Sequence, residues 1–178
     1  AQKSAAKDDP TPAAGSTTAK AINVNFQAST ATTPAGYLAD TGQVFGDRGN
    51  GYKYGWDVDN TANARERNSA NSPSKLYDTF NHLQKPLPAA LVWEIEVPNG
   101  RYSVHAVSGD PDNTDSVLDL QAEGVTIVKG TPTTTVRFFE GTGTVTVSDG
   151  RMTIGNGPTA ANSKINFVEI TPLGAEVA

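Results

Sequence analysis

Apolar and polar residues alternate in the first part of the chain that could enter a hydrophobic core. Ile22, Val24 and Phe26 fall on one face of an extended segment, and Asn23 and Asn25 fall on the other. Side chains of a β-strand point alternately to its two faces, so a period of two predicts a strand with one buried face. The sequence therefore predicts a half-buried first strand.

A second alternating stretch covers residues 90 to 107 and contains the turn sequence Pro-Asn-Gly at 98 to 100. Two alternating runs on either side of such a turn predict a β-hairpin. Trp93 is in phase with Leu91 and Ile95 along the first run. We therefore expect its indole in the core.

Short β-forming runs follow at close spacing, separated by turn sequences. They cover residues 117 to 122, 125 to 128, 135 to 139, 144 to 147, 152 to 154 and 164 to 171. No long helical pattern lies between them, so the chain is predicted to be all-β, an antiparallel β-sandwich of the jelly-roll kind. The last run has apolar residues on both faces, which predicts a central strand, and we expect it beside the first strand.

Residues 41 to 84 break this rhythm, since they are rich in Gly, Asn, Asp and aromatic residues and show no clear secondary structure. Long segments of this kind in a compact domain are commonly functional. Within it, Tyr52, Tyr54 and Trp56 repeat with a period of two. Rings that point the same way could stack on sugar faces, with Trp56 the most exposed; alternatively, they close one end of the sandwich as a minor core.

Charged residues supply candidate partners for sugar hydroxyls. We assign this role to Asp47, Arg48 and Arg67, and to Asp110 and Asp112 in the acidic loop GDPDNTDS. The alternative for the arginines is to order the long segment through ion pairs with its carboxylates. The alternatives for the acidic loop are turn capping by Asp side chains, or a structural calcium ion, although the spacing of an EF-hand is missing.

Composition limits the classes of function. The net charge is -5 with only 14 Lys plus Arg, so we expect no nucleic-acid partner. No apolar stretch approaches the roughly 20 residues that cross a bilayer, and the absence of Cys excludes disulfides and thiolate metal sites. Residues 1 to 20 lack large apolar side chains and are predicted to be a flexible linker or tail, followed by one sandwich domain over 21 to 173 and a C-terminal tail over 174 to 178.

Catalytic patterns are missing from the sequence. It has two histidines, His82 and His105, which we expect at the surface, and it contains neither a G-x-S-x-G nor an H-E-x-x-H motif. Asp57 and Asp59 lie in turn-like sequence, where Asp usually caps turns. The sequence therefore predicts a binding protein rather than an enzyme, with a structural or protein-interaction sandwich as the alternative to a sugar-binding one.

Several motifs in order along the chain carry a resemblance to a known family. They are PAGYLADTG at 34 to 42, VFGDRGNGYKYGW at 44 to 56, RERNSANSP at 65 to 73, WEIEVPNGRYSV at 93 to 104, GDPDNTDS at 109 to 116, FFEGT at 138 to 142 and KINFVEI at 164 to 170. The chain resembles the malectin-like, galactose-binding-like domains of secreted bacterial polysaccharide-degrading proteins.

This resemblance implies a jelly-roll sandwich that binds a polysaccharide or oligosaccharide through loops at one edge or on a concave face. It also implies a secreted or cell-surface module tethered to a catalytic or other domain. Related modules often hold a structural calcium ion through acidic residues of the first and last strands. The comparable positions here are Asn25 and Asn166, which are neutral.

Overall fold

A computed structural model describes residues 19 to 86 and 89 to 174. The predicted linker at 1 to 20 and the predicted tail at 174 to 178 lie almost wholly outside these residues. The strands are β1 (Ile22–Phe26), β2 (Leu38–Asp40), β3 (Gly46–Asp47), β4 (Lys53–Trp56), β5 (Arg65–Glu66), β6 (Thr79–His82), β7 (Trp93–Glu96), β8 (Gly100–Gly109), β9 (Leu118–Ala122), β10 (Val125–Gly130), β11 (Phe138–Val147), β12 (Arg151–Asn156), β13 (Lys164–Ile165) and β14 (Phe167–Gly174). A one-turn helix, α1 (Lys75–Asp78), and a 3₁₀ turn at Thr61–Asn63 precede β6.

Two sheets face each other across the core. One has the strand order β11-β8-β14-β1-β2 and the other β10-β9-β12-β7-β4-β3. Their pairings are antiparallel except for β1 with β2, and a smaller sheet, β13-β6-β5, lies beside them. The prediction of an antiparallel β-sandwich is confirmed.

The first and last strands are neighbours. β14 lies between β8 and β1, with Val24 opposite Val168. Val168 faces the core, and on the opposite face Phe167 packs edge-on against Tyr77 of α1, with ring centroids 5.2 Å apart. The predicted central, doubly covered position of this strand is therefore confirmed.

The predicted hairpin at 90 to 107 is wrong. β7 pairs with β4 and β12, whereas β8 pairs with β11 and β14 in the other sheet. The turn at 98 to 100 thus carries the chain from one sheet to the other. Alternation specifies which face of a strand is buried, and two strands that face each other across a sandwich core show the same alternation as two strands paired side by side.

The long segment at 41 to 84 is more ordered than its sequence predicts. It contains β3, β4, β5, α1 and β6. All of these elements are two to four residues long, and such short elements carry too little periodicity to be recognised. The segment contributes β3 and β4 to one large sheet, and β5 and β6 to the small sheet.

An aromatic cluster fills the middle of the sandwich. Phe26 meets Trp56 and Trp93 edge-on, with ring centroids 5.9 and 5.2 Å away. Both indole N–H groups donate to the buried carboxylate of Asp40, each at 2.8 Å. Burial raises the pKa of Asp40, against the opposing effect of these hydrogen bonds. The predicted core position of Trp93 is confirmed.

Candidate functional site

A polar cleft opens at the end of the sandwich where β8 ends and β14 begins. Its volume is about 200 Å³. It is lined by charged and amide side chains from β5, β6, β13 and the loops beside them: Arg65, Arg67, His82, Lys85, Asp110, Asn113, Asp115, Asn162 and Lys164. We call it the polar cleft.

The small sheet brings the cleft residues of β5 and β6 next to those of β13. β6 and β13 pair antiparallel, with His82 opposite Lys164. β5 pairs with β6 through Arg65 opposite Phe80. Because β13 runs almost directly into the central strand β14, these side chains are fixed to the main body of the sandwich.

Arg67 and Asp110 form a bidentate ion pair in one wall of the cleft. Arg67 Nε donates to Asp110 Oδ1 at 3.1 Å, and Nη2 donates to Oδ2 at 2.7 Å. The backbone N–H of Asp112 and the amide of Asn113 also donate to this carboxylate. Burial works against ionisation of Asp110, but these donors outweigh it and lower its pKa. The turn-capping interpretation of the acidic loop is confirmed at this residue.

Lys164 places a buried ammonium group in the cleft. The residue is only 1% exposed. Its Nζ donates to Ser116 Oγ at 2.6 Å and to the Asn162 carbonyl at 3.0 Å, while the Asp115 carboxylate is 3.9 Å away. Burial lowers the pKa of Lys164, and the neighbouring carboxylates oppose that shift. The hydrogen-bonding partners of this cation are thus neutral oxygens.

His82 is a neutral member of the site. Its Nδ1 lies 2.7 Å from the Asn63 carbonyl, so Nδ1 carries the hydrogen and Nε2 is left as an acceptor. Burial, together with the surrounding cations, lowers the pKa of His82 to about 4, although the Asn63 hydrogen bond opposes this shift. The expectation that both histidines lie at the surface is wrong for His82, which is buried on β6.

A more apolar groove adjoins the polar cleft. It has a volume of about 540 Å³. It shares Lys85, Asp115 and Asn162 with the cleft, and Pro86 and Ala161 form part of its remaining wall. Polar and apolar surfaces are therefore joined in one concave region.

The sequence-predicted site residues are divided between the two ends of the sandwich. Arg67 and Asp110 line the polar cleft, and Asp112 lies near its rim, where it accepts a hydrogen bond from Ser69 Oγ at 2.6 Å. Asp47 and Arg48 lie in the hairpin of β3 and β4, near the start of β1 and the turn between β7 and β8. The site residues predicted from the sequence therefore do not form a single site.

Burial removes Tyr54 and Trp56 from any sugar-binding surface. Tyr54 is 2% exposed and Trp56 is fully buried, so the expectation that Trp56 is the most exposed ring is wrong. β4 is an inner strand of its sheet, and its register places Trp56 opposite the core residue Trp93. Tyr52 is half-buried against the same core and lines a pocket of about 420 Å³ at the opposite end from the polar cleft.

Asp47 and Arg48 order their own hairpin. Asp47 Oδ1 accepts the backbone N–H of Gly49 at 2.8 Å. Arg48 Nη2 donates to the Val44 carbonyl at 2.6 Å, and its guanidinium lies over the Tyr54 ring. Among residues 19 to 86 and 89 to 174, Arg48 forms no ion pair with the carboxylates of the long segment. The Val44 carbonyl accepts from the guanidinium instead.

The amides of Asn25 and Asn166 do not fit the calcium site that the resemblance implies. Asn166 Nδ2 donates to the carbonyls of Tyr77 and Thr79 at 3.1 and 3.0 Å, and Asn25 Nδ2 donates to the Asn166 carbonyl at 3.2 Å. A hard cation is bound most strongly by carboxylates, whereas both positions here carry neutral amides whose N–H groups donate to neighbouring carbonyls. The parts of the chain that the structure describes contain no cluster of three or more His, Asp or Glu residues suited to a metal.

Sequence reasoning missed Lys164, His82 and Asn162 as site residues. One signal was present: Lys164 begins the run KINFVEI, which is rich in apolar residues, and a charged residue buried there needs a partner. Its proximity to His82 depends on the pairing of β13 with β6, which no local pattern reveals.

The two facing sheets and the cleft at one end define an antiparallel β-sandwich. No protein-family model matches the sequence, and no curated protein does. One chain of the complex of the plant peptide RALF23 with FER and LLG2 is similar, with a TM-score of 0.54 and 16% identity over 87% of this chain and 40% of that chain.

Two further solved structures come from carbohydrate-related proteins. A β-glucuronidase of Bacteroides uniformis has a TM-score of 0.50 and 12% identity, covering 86% of this chain and 18% of that chain. The CBM35 of Cellvibrio japonicus Abf62 has a TM-score of 0.44 and 14% identity, covering 89% of this chain and 100% of that chain. This chain spans less than half of the RALF23-complex and glucuronidase chains, and at these identities the two likenesses show a shared fold.

In the described ranges, no helix has the length and hydropathy needed to span a membrane.

Proposed function

We propose that this chain is a non-catalytic carbohydrate-binding module whose saccharide site is the polar cleft with its adjoining groove. One observation carries the proposal: the buried polar groups of Lys164 and His82 converge on a concave surface beside a more apolar wall. Ligand sites typically combine a few fixed polar groups with apolar surface. A pyranose ring offers hydroxyls to the first and C–H groups to the second.

We further infer that the module is secreted or held at the cell surface and tethered to a catalytic or other domain. The similar β-glucuronidase contains this fold as one part of a much longer chain, which supports such an arrangement. Residues 1 to 20, rich in Ala, Thr, Ser and Pro, have the composition of a linker. Tethering raises the local concentration of the attached domain on a polysaccharide.

The hydrogen bonds of the cleft favour binding over turnover. Lys164 Nζ donates to Ser116 Oγ, and Ser116 in turn donates to the Asn162 carbonyl, so the hydroxyl proton is not directed at a free base. The Asp110 carboxylate is saturated by donors. We expect no release of reducing ends from any polysaccharide that the protein binds. Turnover that disappears in Ser116→Ala or His82→Asn would reject the non-catalytic assignment.

Calorimetric titration with a broad panel of oligosaccharides tests the site. Asn162 lines both the cleft and the groove and has a positive φ of 53°, so Asn162→Gly removes its amide without backbone strain. Asn68→Gly is the matched control, because Asn68 has a φ of 51° and does not line the cleft. We expect Asn162→Gly alone to weaken binding, by about 2- to 10-fold.

Two outcomes would contradict this proposal. Equal affinity of Asn162→Gly, Asn68→Gly and the parent protein would place the site elsewhere. Absence of binding across the whole panel would favour a structural or protein-interaction module.

A further inference from the structure

The polar cleft is cationic on an otherwise acidic protein. Arg65, Arg67, Lys85 and Lys164 line it together with two carboxylates, those of Asp110 and Asp115. These charges give the cleft a formal charge of +2, while the whole chain carries -5. A cleft of one sign concentrates ligands of the opposite sign.

Within the part of the chain that the structure describes, carboxylates neutralise only some of this positive charge. Arg67 is paired with Asp110, but Arg65 donates to the carbonyls of Ala62 and Ala64 instead of to a carboxylate. In the described ranges, neither Arg65 nor Lys85 has a carboxylate within ion-pair distance. The positive charge therefore remains available to a ligand.

Burial makes one of these charges especially sensitive to an anion. Lys164 is almost fully buried with neutral oxygens as its hydrogen-bonding partners. A cation removed from water is stabilised strongly by a nearby opposite charge, because the low surrounding polarity weakens screening. Asp115, at 3.9 Å, is too far away to supply a direct hydrogen bond.

We propose that the polar cleft binds the anionic group of an acidic saccharide, a carboxylate or a sulfate ester, while the sugar ring lies along the groove at Pro86 and Ala161. This proposal rests on the carbohydrate-binding function and names its ligand class. The planar guanidinium of Arg65 can donate to two oxygens of a carboxylate or of a sulfate ester at once. The acceptor Nε2 of His82 is available to a sugar hydroxyl.

The test is calorimetric titration of the full chain with polygalacturonan, its carboxyl-reduced form and a sulfated galactan. We expect binding to at least one charged polymer and at least about tenfold weaker binding to the carboxyl-reduced form. The polygalacturonan and sulfated galactan arms distinguish carboxylate from sulfate. Affinity should also fall as NaCl is raised, since salt screens the attraction.

Matched charge variants locate the effect. Arg65→Gln and Lys85→Gln each remove a cation of the cleft, while Lys53→Gln removes one from the opposite end, where Lys53 faces Glu96. We expect the first two to weaken binding by about tenfold and Lys53→Gln to leave it unchanged. Circular dichroism confirms that each variant is folded.

The outcomes separate this proposal from the function on which it rests. Equal binding of the charged and carboxyl-reduced polymers would overturn the preference for acidic saccharides and leave carbohydrate binding intact. Equal effects of Arg65→Gln and Lys53→Gln would place the anion outside the cleft. Binding of no saccharide, charged or neutral, would overturn both.

Discussion

Trp56 and Trp93 lie opposite each other on β4 and β7 and donate their indole N–H groups to the two oxygens of one carboxylate, that of Asp40. The arrangement satisfies three buried polar groups inside an aromatic core. Asp40 also accepts the backbone N–H of Gly42, so the segment after β2 is fixed to the same cluster. Tyr54 and Trp56, whose period of two suggested a surface for stacking on sugars, therefore belong to the interior of the protein.

Truncation of this cluster should destabilise the fold strongly. We expect Trp93→Ala to lower the free energy of unfolding by about 3 to 5 kcal/mol, because it leaves a cavity and an unpaired oxygen of Asp40. Chemical denaturation measures the change. Val58→Ala, at a position 49% exposed, serves as the control and should stay within about 0.5 kcal/mol of the parent. A loss below about 1 kcal/mol in Trp93→Ala would mean that the indole is not part of the core.

The stability of the protein should depend on pH through His105. Burial alone would lower the pKa of this imidazole, but hydrogen bonds to Glu140 and Glu169 outweigh burial and raise it. A raised folded pKa gives a stabilisation that is complete below the unfolded value of about 6.5 and is lost as the pH rises through the folded pKa. We expect the parent to lose stability over this range relative to His105→Gln, as measured by urea denaturation across the pH range.

His82 should show the opposite sign and therefore provides an internal control. Its pKa is about 4 in the folded protein, mainly because it is buried. The unfolded chain takes up the proton first, so the parent should lose stability as the pH falls from about 6.5 towards 4, and His82→Asn should lose less. Parallel pH profiles for the parent and either variant would contradict the assigned environment of that histidine.

Loss of the Tyr52 ring should separate stability from binding. This ring packs against the core and lines the pocket at the end opposite the polar cleft. We expect Tyr52→Ala to lower stability by about 1 to 3 kcal/mol and to leave saccharide affinity unchanged. Thermal unfolding and titration on the same samples measure both quantities. A tenfold loss of affinity with an unchanged Tm would instead assign the ligand to the Tyr52 pocket.

Chelation should leave the protein unaffected. Near β1 and β14, Asn25 and Asn166 supply neutral amides instead of carboxylates, and their N–H groups donate to neighbouring carbonyls. We expect EDTA to change neither the Tm nor saccharide affinity. A fall in Tm that calcium chloride reverses, and magnesium chloride does not, would show that this region holds calcium after all.

The sequence predicted the faces of the strands better than their partners. Alternation is a local property, so Val24 and Trp93 could be placed in the core from their neighbours alone. The pairing of β7 with β4 rather than β8 depends on contacts distant in sequence. The residues of the site were hard to predict for the same reason. Arg67 and Asp110 were chosen by residue type alone, whereas their ion pair and the nearby position of Lys164 depend on contacts between parts of the chain that are distant in sequence.

The direct connection of β13 to β14 makes the polar cleft rigid before a ligand binds. Lys164 lies three residues before Phe167 and is anchored by Ser116 and Asn162, and His82 lies opposite Lys164 in the pairing of β6 with β13. Movement of these groups would require movement of β14, the central strand of its sheet. The cleft is thus preorganised, and a ligand finds its donors already oriented instead of losing affinity to the entropy of ordering them. On the proposed function, we expect selectivity to come from rejecting sugars that do not match this rigid arrangement.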